Sequence, residues 1–394
     1  MNTTTDLSAL LGPATERAIE LRHTIHQSPE LRYQERETAK LVRDELSVIG
    51  VEHVGDLAGG TGVLGHIPGG DGAPVALRAD MDALPITERT GKPYASQTPG
   101  VMHACGHDGH TAMLLGAARV LKQLDLPRPV TLVFQPAEEG GAGGKRMVED
   151  GALDGSLLGP KVEEIFGLHG WPDAPLGCVG SIPGPMLAST DELRITITGS
   201  QAHGAMPHQG VDPILAAAHV VTALQSIVSR NTDPLDSVVV TVGTFHGGTA
   251  INVIPEAVEL TGTVRTLTAE NRAMAARRVT ETAQGVAQAM GCQATVEIIE
   301  GYPVTVNDTG LVERVHRIAA GALGAERVVP LDRPVMGGED FSFYGACARA
   351  CFFTLGLCPA GETYPLLHTP EFDFNDDAAA TGIEMLVRCA VESA

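Results

Sequence analysis

The first part of the chain alternates between apolar residues at helical spacing and short, continuous apolar runs. Two helical stripes predict amphipathic helices, the second ending at Gly50. Their apolar positions are Ala14, Ala18, Leu21 and Ile25, followed by Ala39, Val42, Leu46 and Ile49. The continuous runs predict buried strands at 74–77, 130–135 and 164–168, and a helix reaches Leu124 between the first two. Helices that alternate with buried strands predict an α/β domain with a mainly parallel sheet and helices on both faces.

Near Met186 the pattern changes to the alternation of apolar and polar residues that is typical of half-exposed antiparallel strands. Strands are predicted at 192–198, 238–245, 258–265 and 295–299. Asp212 and Pro213, an acidic cap followed by proline, open a helix to about Arg230, and a second helix spans about 270–290. The order β-α-β-β-α-β is that of a split βαβ arrangement, which predicts an α+β domain.

Length, charge and cysteine content narrow the class of protein. At 394 residues the chain exceeds one ordinary core, and the change of pattern places an inserted domain at 188–301 within a first domain of 1–187 and 302–394. The net charge of −21 argues against a nucleic-acid surface. Seven cysteines show no disulfide framework, and residues 1–13 contain neither a basic region nor a long apolar run. These features predict a cytoplasmic protein without a membrane or nucleic-acid partner.

One thiol and three imidazoles are concentrated between His103 and His110. Cys105 and His107 lie two residues apart, and Gly106 between them lets the backbone bend without a side chain in the way. Both side chains can therefore reach one metal ion, and both are ligands for zinc and neighbouring transition metals. A lone C-x-H also suits a helix start with a buried cysteine, so the interpretation depends on the rest of the chain.

Further candidate ligands follow the predicted strands. Glu138 and Glu139 come after the strand at 130–135, and adjacent side chains on an extended segment diverge. One carboxylate can then bind metal while the other moves a proton. His169 ends the strand at 164–168, and His368 lies in a loop. Taken alone, His169 could be an ordinary core histidine and His368 an ordinary loop histidine. Two adjacent glutamates alone are usually solvated surface. Together, five side chains suffice for two metal ions if the thiolate bridges them: Cys105, His107, Glu139, His169 and His368.

Longer motifs extend this pattern over nearly the whole chain, from about Glu20 to Asn375. They are R-A-D-M-D-A-L-P, M-H-A-C-G-H-D-G-H, F-Q-P-A-E-E-G, G-L-H-G-W, Q-A-H-G-A-M-P-H, A-I-N-V-I-P-E, G-T-V-R-T, M-G-G-E-D-F and a late L-H-T. In combination they resemble the metal-dependent aminoacylase and carboxypeptidase family. The most similar branch contains hippurate hydrolases and indoleacetyl-amino-acid hydrolases.

The resemblance implies two divalent metal ions (zinc, manganese, nickel or cobalt) in the larger domain. It also implies a smaller lid domain that pairs subunits in a homodimer, with a tetramer left open. The same five residues are the implied ligands, with Cys105 as the bridge and Glu138 as the general acid and base. Where other members carry an H-x-D pair, this chain has Asp80 and Asp82, and the absent histidine fits the branch in which His107 is a ligand. We expect Asp82, with Asp80, to support catalysis by orienting the ligands.

The resemblance also places His203, Asn252 and Arg265 of the lid at positions that contact the substrate. The planar guanidinium of Arg265 would suit an α-carboxylate, although a surface charge on a strand is the alternative. Gly338 would let the backbone approach the substrate, or would form a tight turn. His203 is implied to reach the active site of the partner subunit, where it binds the oxyanion.

The predicted activity is the hydrolysis of small N-acyl amino acids to a carboxylic acid and a free amino acid by metal-activated water. Hippurate-like substrates are the first expectation, and N-acetyl and indoleacetyl amino acids remain open. A dipeptidase or carboxypeptidase on the same scaffold is the alternative enzyme. Two further hypotheses are a hydrolase with Cys105 as its nucleophile and a non-catalytic binding protein, which the presence of Glu138 disfavours.

Overall fold

The chain forms two compact units in the computed structural model, which describes residues 7–392. One unit extends to Met186 and resumes at Val306–Arg333 and from Asp340, and the other comprises Leu187–Thr305 and Pro334–Glu339. We placed Pro334–Glu339 in the first domain from the sequence, but Gly337 O accepts a hydrogen bond from Ala188 N–H of the second unit. Residues 1–6 of the N-terminal stretch that contains neither a basic region nor a long apolar run lie outside the described residues.

The first unit contains most of the helices and the larger sheet. Its helices are α1 (Leu7–Gln27), α2 (Arg36–Ile49), α3 (His107–Leu121), α4 (Glu138–Gly141), α5 (Gly143–Glu149), α8 (Thr309–Leu323) and α9 (Ala379–Val391). Its strands are β1 (Glu52–Leu57), β2 (Gly62–Ile67), β3 (Val75–Asp80), β4 (Val130–Gln135), β5 (Glu164–Pro175), β6 (Val179–Gly180) and β15 (Arg349–Cys358). Two short strands, β7 (Gly184–Leu187) and β14 (Thr305–Asn307), pair where the chain passes between the units.

The larger sheet has the strand order β1-β2-β4-β3-β5-β15-β6. Its four central strands, from β4 to β15, run parallel, whereas β1, β2 and β6 are antiparallel to their neighbours. Parallel strands end at one edge of a sheet, so Asp80 lies opposite Gln135. The predicted α/β fold with a mainly parallel sheet is confirmed. The β1–β2 hairpin was not predicted, because half-exposed β1 has no continuous apolar run.

The helical stripes seen in the sequence are buried, apart from Ile49, which is half-buried. Positions Ala14, Ala18, Leu21 and Ile25 of α1 are at most 5% exposed. α2 ends at Gly50, whose left-handed φ of 79° lets its N–H reach Leu46 O and Ser47 O. α1, α3 and α9 pack together on one face of the sheet. On the other face, Phe352 of β15 contacts Phe341 of a 3₁₀ helix, Asp340–Ala346, which packs against α5.

Strand β5 continues well past its predicted end at residue 168. β15 runs parallel to it through Gly356, opposite Trp171, and the pairing resumes at Cys358 opposite Pro175. Backbone pairing therefore extends the strand through polar residues that apolar patterning cannot identify. As a result, His169 lies within β5 and not at its end. α3 is shorter than predicted and ends at Leu121.

The second unit is an antiparallel sheet covered by two helices. Its strands are β8 (Ser189–Thr198), β9 (Ala202–His203), β10 (Val238–Gly247), β11 (Val253–Ile254), β12 (Ala257–Thr266) and β13 (Gln293–Glu300), and its helices are α6 (Pro213–Ser226) and α7 (Ala269–Ala289). The main sheet has the order β10-β12-β8-β13. The Asp212 side chain accepts hydrogen bonds from Ile214 N and Leu215 N, so the predicted acidic cap is present. None of the helices described in either unit is long and apolar enough to cross a membrane.

Candidate metal centre

A tight turn brings Cys105 to the start of α3. Gly106 has a left-handed φ of 84°, which glycine adopts without a steric penalty, and a Cβ there would lie 3.1 Å from the Phe374 ring. His107 is the first residue of α3, so the thiol and the imidazole leave the backbone on either side of this turn. Cys105 Sγ lies 3.4 Å from His169 Nε2. The ligand atoms of these two residues and His107 all lie within 4.8 Å of one another.

Cys105 also belongs to a second group of ligand atoms, together with Glu139 and His368. His368 Nε2 lies 3.1 Å from Glu139 Oε1, and the His368 backbone N–H donates to Ala104 O at 2.8 Å. The φ of His368 is 62°, a left-handed conformation that is uncommon outside glycine and indicates a local constraint. The structure thus gathers all five predicted ligands around the predicted bridge, Cys105.

Hydrogen bonds fix which ring nitrogens of His169 and His110 carry protons. His169 Nδ1 donates to Gly170 O at 2.8 Å, which leaves the Nε2 lone pair facing Cys105. Gly170 N–H donates to His110 Nε2 at 2.8 Å, so Nδ1 of His110 carries the proton that it donates to Asp80 Oδ1 at 2.7 Å. His110 therefore links the strand that carries His169 to the carboxyl end of β3. The sequence reading assigned it no role.

Asp82 orients an imidazole and a backbone turn at once. Its Oδ1 and Oδ2 accept hydrogen bonds from Glu138 N and Glu139 N, each at 2.9 Å. Oδ1 also lies 3.3 Å from His107 Nδ1, which directs the other ring nitrogen of His107 toward the candidate ligands. Asp82 is 1% exposed. These contacts agree with the orienting role expected for Asp82.

The turn that carries Glu138 and Glu139 is not the extended segment that we expected. Ala137 has a φ of 55°, and α4 is a single turn within which Glu139 departs from helical geometry (φ −70°, ψ 75°). The extended prediction failed because buried carboxylates draw the backbone N–H groups of this turn inward. The two side chains nevertheless differ in their surroundings. Glu138 is 7% exposed, whereas Glu139 is partly exposed and contacts His368.

A buried ion network holds Asp80. Arg78 donates to Asp80 Oδ2 at 2.7 Å, to Asp340 Oδ1 at 2.9 Å and to Gln135 Oε1 at 2.9 Å. All four side chains are at most 1% exposed, so each charge depends on its partners for the hydrogen bonds that water would otherwise supply. The sequence reading missed this network, because Arg78 and Asp340 are 262 residues apart. Only their presence in two separate motifs could have indicated it.

Burial and charge act differently on the candidate ligands. Burial raises the pKa of the Cys105 thiol. Burial and neighbouring His110 hold the pKa of His169 well below its usual range, which keeps that imidazole neutral and its lone pair available. Burial disfavours protonated His107, yet Asp80 and Cys105 raise its pKa. Buried His107 Nε2 makes no hydrogen bond to the residues that the structure describes. This donor set suits a divalent cation, which would take the place of protons.

In the second unit, His203 and Asn252 lie side by side. His203 ends β9 and lies opposite Val253 of β11. Gly204 N–H donates to Asn252 O at 2.7 Å. Ala205 N–H donates to His203 Nδ1 at 3.0 Å, so the neutral ring carries its proton on Nε2. His203 is exposed and can therefore donate from Nε2 to a ligand.

Arg265 and Gly338 form a second pair within this unit. Arg265 lies on β12 opposite Thr190. A Cβ on Gly338 would lie 2.0 Å from Thr190 Cγ2 and 3.0 Å from an Arg265 guanidinium nitrogen, so glycine is needed for close packing there. The Asp191 carboxylate pairs with Arg272 at 2.9 Å. Half-buried Arg265 forms no hydrogen bond or ion pair with any residue in 7–392.

Known proteins are similar to this chain in sequence. Residues 76–392 match the model of peptidase family M20/M25/M40. The chain is 43% identical over 373 residues to IAA-amino acid hydrolase ILR1-like 4 of Arabidopsis thaliana, covering 93% of this chain and 83% of that protein. It is 43% identical over 340 residues to the N-acetyl-L-cysteine deacetylase of Bacillus subtilis (strain 168), covering 85% of this chain and 79% of that protein.

A solved structure extends the comparison to the fold. The YXEP protein of Bacillus subtilis, described as a dinuclear metal-binding peptidase of the M20 family, matches with a TM-score of 0.83 at 34% identity. The match covers 96% of this chain and 98% of that one. The chain therefore belongs to peptidase family M20/M25/M40.

Proposed function

We propose that this protein is a metal-dependent amidohydrolase that cleaves N-acyl amino acids into a carboxylic acid and a free amino acid. The observation that carries the proposal is the convergence of four ligand-type side chains on a fifth, Cys105, with the buried carboxylate of Glu138 beside them. The names of two relatives, an amino acid hydrolase and an N-acetyl-L-cysteine deacetylase, support this reaction class.

Two divalent metal ions fit the donor set. Cys105, His107 and His169 would hold one ion, and the same thiolate with Glu139 and His368 would hold the other. Zinc, manganese, nickel and cobalt all accept such ligands. When bound, the ions would act as a Lewis acid and would lower the pKa of bound water toward neutrality.

Glu138 is the proposed general base and general acid. A carboxylate oxygen of Glu138 and the ligand atoms of His107 and Glu139 all lie within 4.8 Å of one another. It accepts a proton from the attacking water and later delivers that proton to the departing amide nitrogen. Asp82 fixes the backbone N–H of Glu138 and thereby the position from which the side chain acts.

The second unit supplies the proposed substrate contacts. Arg265 holds the α-carboxylate, since its guanidinium has no partner among the described side chains and its geometry suits two parallel hydrogen bonds. His203 donates from Nε2 to the oxyanion of the tetrahedral intermediate. Asn252 supplies a polar contact beside His203, and Gly338 leaves room next to Arg265.

A homodimer formed through the second unit is part of the proposal. β10 is an edge strand of its sheet, and residues 243–247 are exposed. Ile214 and Leu215 of α6 are 38% and 52% exposed. An open strand edge and exposed apolar side chains suit pairing with a second copy of the chain. The cysteines, all free in the structure, favour a reducing compartment such as the cytoplasm.

A hydrolysis screen tests the activity. Metal-free protein receives zinc, manganese, nickel or cobalt and is offered hippurate, N-acetyl amino acids and indoleacetyl amino acids, with dipeptides as controls. We expect metal-dependent release of free amino acid from the N-acyl substrates, with hippurate-like compounds first among them. Elemental analysis should find two ions per chain, lost in Cys105→Ala and His169→Ala. Full activity without metal, or activity confined to dipeptides, would contradict the proposal.

Two alternatives have less support. A dipeptidase or carboxypeptidase activity is not favoured by the names of the relatives that cover most of this chain. A Cys105 nucleophile requires a thiolate, whereas burial raises the pKa of this thiol. Activity that survives a chelator but is lost on alkylation of the metal-free protein would reverse this second judgement.

A further inference from the structure

The backbone N–H groups of Glu138, the proposed proton-transfer residue, and of its two neighbours each donate to a carboxylate. Ala137 N–H donates to Glu35 Oε1 at 2.8 Å. Glu138 N–H and Glu139 N–H donate to the two oxygens of Asp82, each at 2.9 Å. Two carboxylates therefore take up all three of these N–H groups. Asp82 already belongs to the metal centre, whereas Glu35 comes from the segment between α1 and α2.

The turn that these carboxylates hold is strained. Ala137 and Ala142 both have a φ of 55°, in the left-handed region that side chains other than glycine rarely adopt. The turn is also tightly closed, since a Cβ on Gly143 would lie 1.7 Å from Pro136 O. Such conformations persist only where surrounding contacts impose them. The orientation of Glu138 therefore depends on the groups that hold this turn.

Two neighbours of Glu35 also bond the backbone of this turn. Arg32 donates to Glu139 O at 2.9 Å, and Tyr33 Oη donates to Gly141 O at 2.5 Å. With Glu35 on Ala137 N, three side chains of one short segment contact the backbone of 137–141. This concentration of contacts shows that the segment 32–35 is fitted to the turn.

Glu35 itself is fixed and costly to bury. Its Oε2 accepts a hydrogen bond from Thr61 Oγ1 at 2.9 Å, and the side chain is fully buried. Burial, with Asp82 nearby, raises the pKa of Glu35 to about 7. Burial of a carboxylate costs free energy, which the hydrogen bonds from Ala137 N–H and Thr61 Oγ1 partly offset.

We propose that Glu35 is a positioning residue for Glu138: it holds Ala137 N–H so that the strained turn presents the Glu138 carboxylate to the reacting water. The inference rests on the proposed function of Glu138. Among residues 7–392, the Glu35 side chain bonds Ala137 N–H and Thr61 Oγ1 and makes no hydrogen bond with a proposed metal ligand side chain. Its loss should therefore affect the rate of the chemical step and leave substrate binding and metal content largely unchanged.

A double-mutant cycle with Glu138 isolates this role. Displacement of a catalytic group by about 1 Å can cost on the order of 10² in rate, so Glu35→Ala should lower kcat by about 10- to 100-fold, with KM within about threefold. In a Glu138→Ala background the same substitution should cost nothing further, because the group that it positions is absent. An equal loss in both backgrounds would show that Glu35 is merely structural and would overturn the proposal.

Three matched variants sharpen the test. Glu35→Gln keeps an acceptor for Ala137 N–H and should retain kcat within a few-fold. Thr61→Val removes the other partner of Glu35 but keeps the bond to Ala137 N–H, so it should cost less in kcat than Glu35→Ala. Tyr33→Phe removes the hydroxyl that bonds Gly141 O and should lower kcat by less than Glu35→Ala does. In the Glu138→Ala background, Tyr33→Phe should lower kcat no further. This variant keeps the proposal testable if Glu35→Ala fails to fold.

Hydrogen exchange supplies a readout that does not depend on activity. In metal-free protein, the backbone amides of 137–139 should exchange faster in Glu35→Ala than in wild type, and at the wild-type rate in Glu35→Gln. Unchanged exchange in Glu35→Ala would contradict the inference. If the wild-type protein hydrolyses no N-acyl amino acid, the proposed function is wrong. The hydrogen-exchange experiment does not depend on activity and still decides whether Glu35 holds the turn.

Discussion

Glu138 and Glu139 are adjacent in sequence, but their surroundings differ. Burial favours the neutral acid, but the hydrogen bond with His368 lowers the pKa of Glu139. Such a carboxylate is suited to pairing with a cation. Glu138→Gln keeps the shape of the side chain but cannot carry a proton. We expect kcat to fall by roughly 10² to 10⁴, the usual contribution of general acid–base catalysis, while elemental analysis still finds two metal ions.

Glu139→Gln is the matched control, since it makes the same chemical change one residue further along. We expect this variant to lose metal, because Glu139 is the proposed ligand. If Glu138→Gln loses metal and Glu139→Gln keeps it, the two roles are reversed.

The free guanidinium of Arg265 leads to a prediction about substrate choice. Arg265→Ala should weaken the use of substrates with a free α-carboxylate by about 1.5 to 3 kcal/mol in kcat/KM, the range for a hydrogen bond to a charged group. Substrates with an amidated carboxyl group should be affected little, since they lack the charge. Arg272→Ala, which removes the neighbouring arginine that pairs with Asp191, is the control. An equal loss for both kinds of substrate would mean that Arg265 is structural.

At the scale of elements, a buried charge cluster joins α1 to the start of α3. Arg22 donates to Asp108 Oδ2 at 2.9 Å, and His26 Nδ1 lies 2.8 Å from the same oxygen. Arg22 also pairs with Asp373 and, at 2.8 Å, with Asp376 ahead of α9. The cluster thus fixes the helix that begins at the candidate ligand His107.

The charge of His26 makes this junction sensitive to pH. Burial alone would lower the pKa of His26, but Asp108 and Glu88 raise it to about 9 from the ordinary 6.5. A raised pKa stabilises the folded state fully below pH 6.5, and this stabilisation is lost as the pH rises through about 9. The difference corresponds to roughly 3 kcal/mol. Wild type should therefore exceed His26→Gln in stability by more at pH 6 than at pH 9.5.

Urea unfolding at the two pH values measures this effect. The exposed His208→Gln of the second unit serves as the control for loss of a histidine outside this cluster. A constant difference between wild type and His26→Gln would show that His26 contributes by packing and not by charge.

The sequence predicted elements well where local pattern determines them. The stripes of α1 and α2, the run of β4 and the Asp212 cap were all correct, because burial and capping leave a mark at fixed spacing. The course of β5 beyond residue 168 and the turn at Ala137 were not predicted. Their conformations depend on β15, Asp82 and Glu35, which are distant in sequence. For the same reason, nothing in the chain indicated a role for Glu35, and His110 was noted only as one of three imidazoles between His103 and His110.

At the scale of the whole molecule, motifs allowed the five candidate ligands to be predicted although they come from separate segments. Each motif identified a short stretch, and the parallel sheet explains why several of them meet at one edge. The segment Pro334–Glu339 could not be assigned in this way. It belongs to the second unit through contacts such as Gly337 O with Ala188 N–H, which no local pattern encodes.

The proposed dimer leads to a prediction about how subunits share a site. His203 lies on the second unit, carries its proton on the exposed Nε2, and is proposed to serve the active site of the partner subunit. Loss of an oxyanion donor costs about 10² to 10³ in kcat, so His203→Ala should be nearly inactive, as should Glu138→Gln.

Subunit exchange between these two variants tests the arrangement. If His203 acts on the neighbouring site, one site in each mixed dimer has both groups intact, and activity should return toward one quarter of the wild-type value, because about half of the dimers are mixed. If His203 acts within its own subunit, every site lacks one group and the mixture stays inactive. A protein that sedimentation shows to be monomeric at the assay concentration would exclude the shared site.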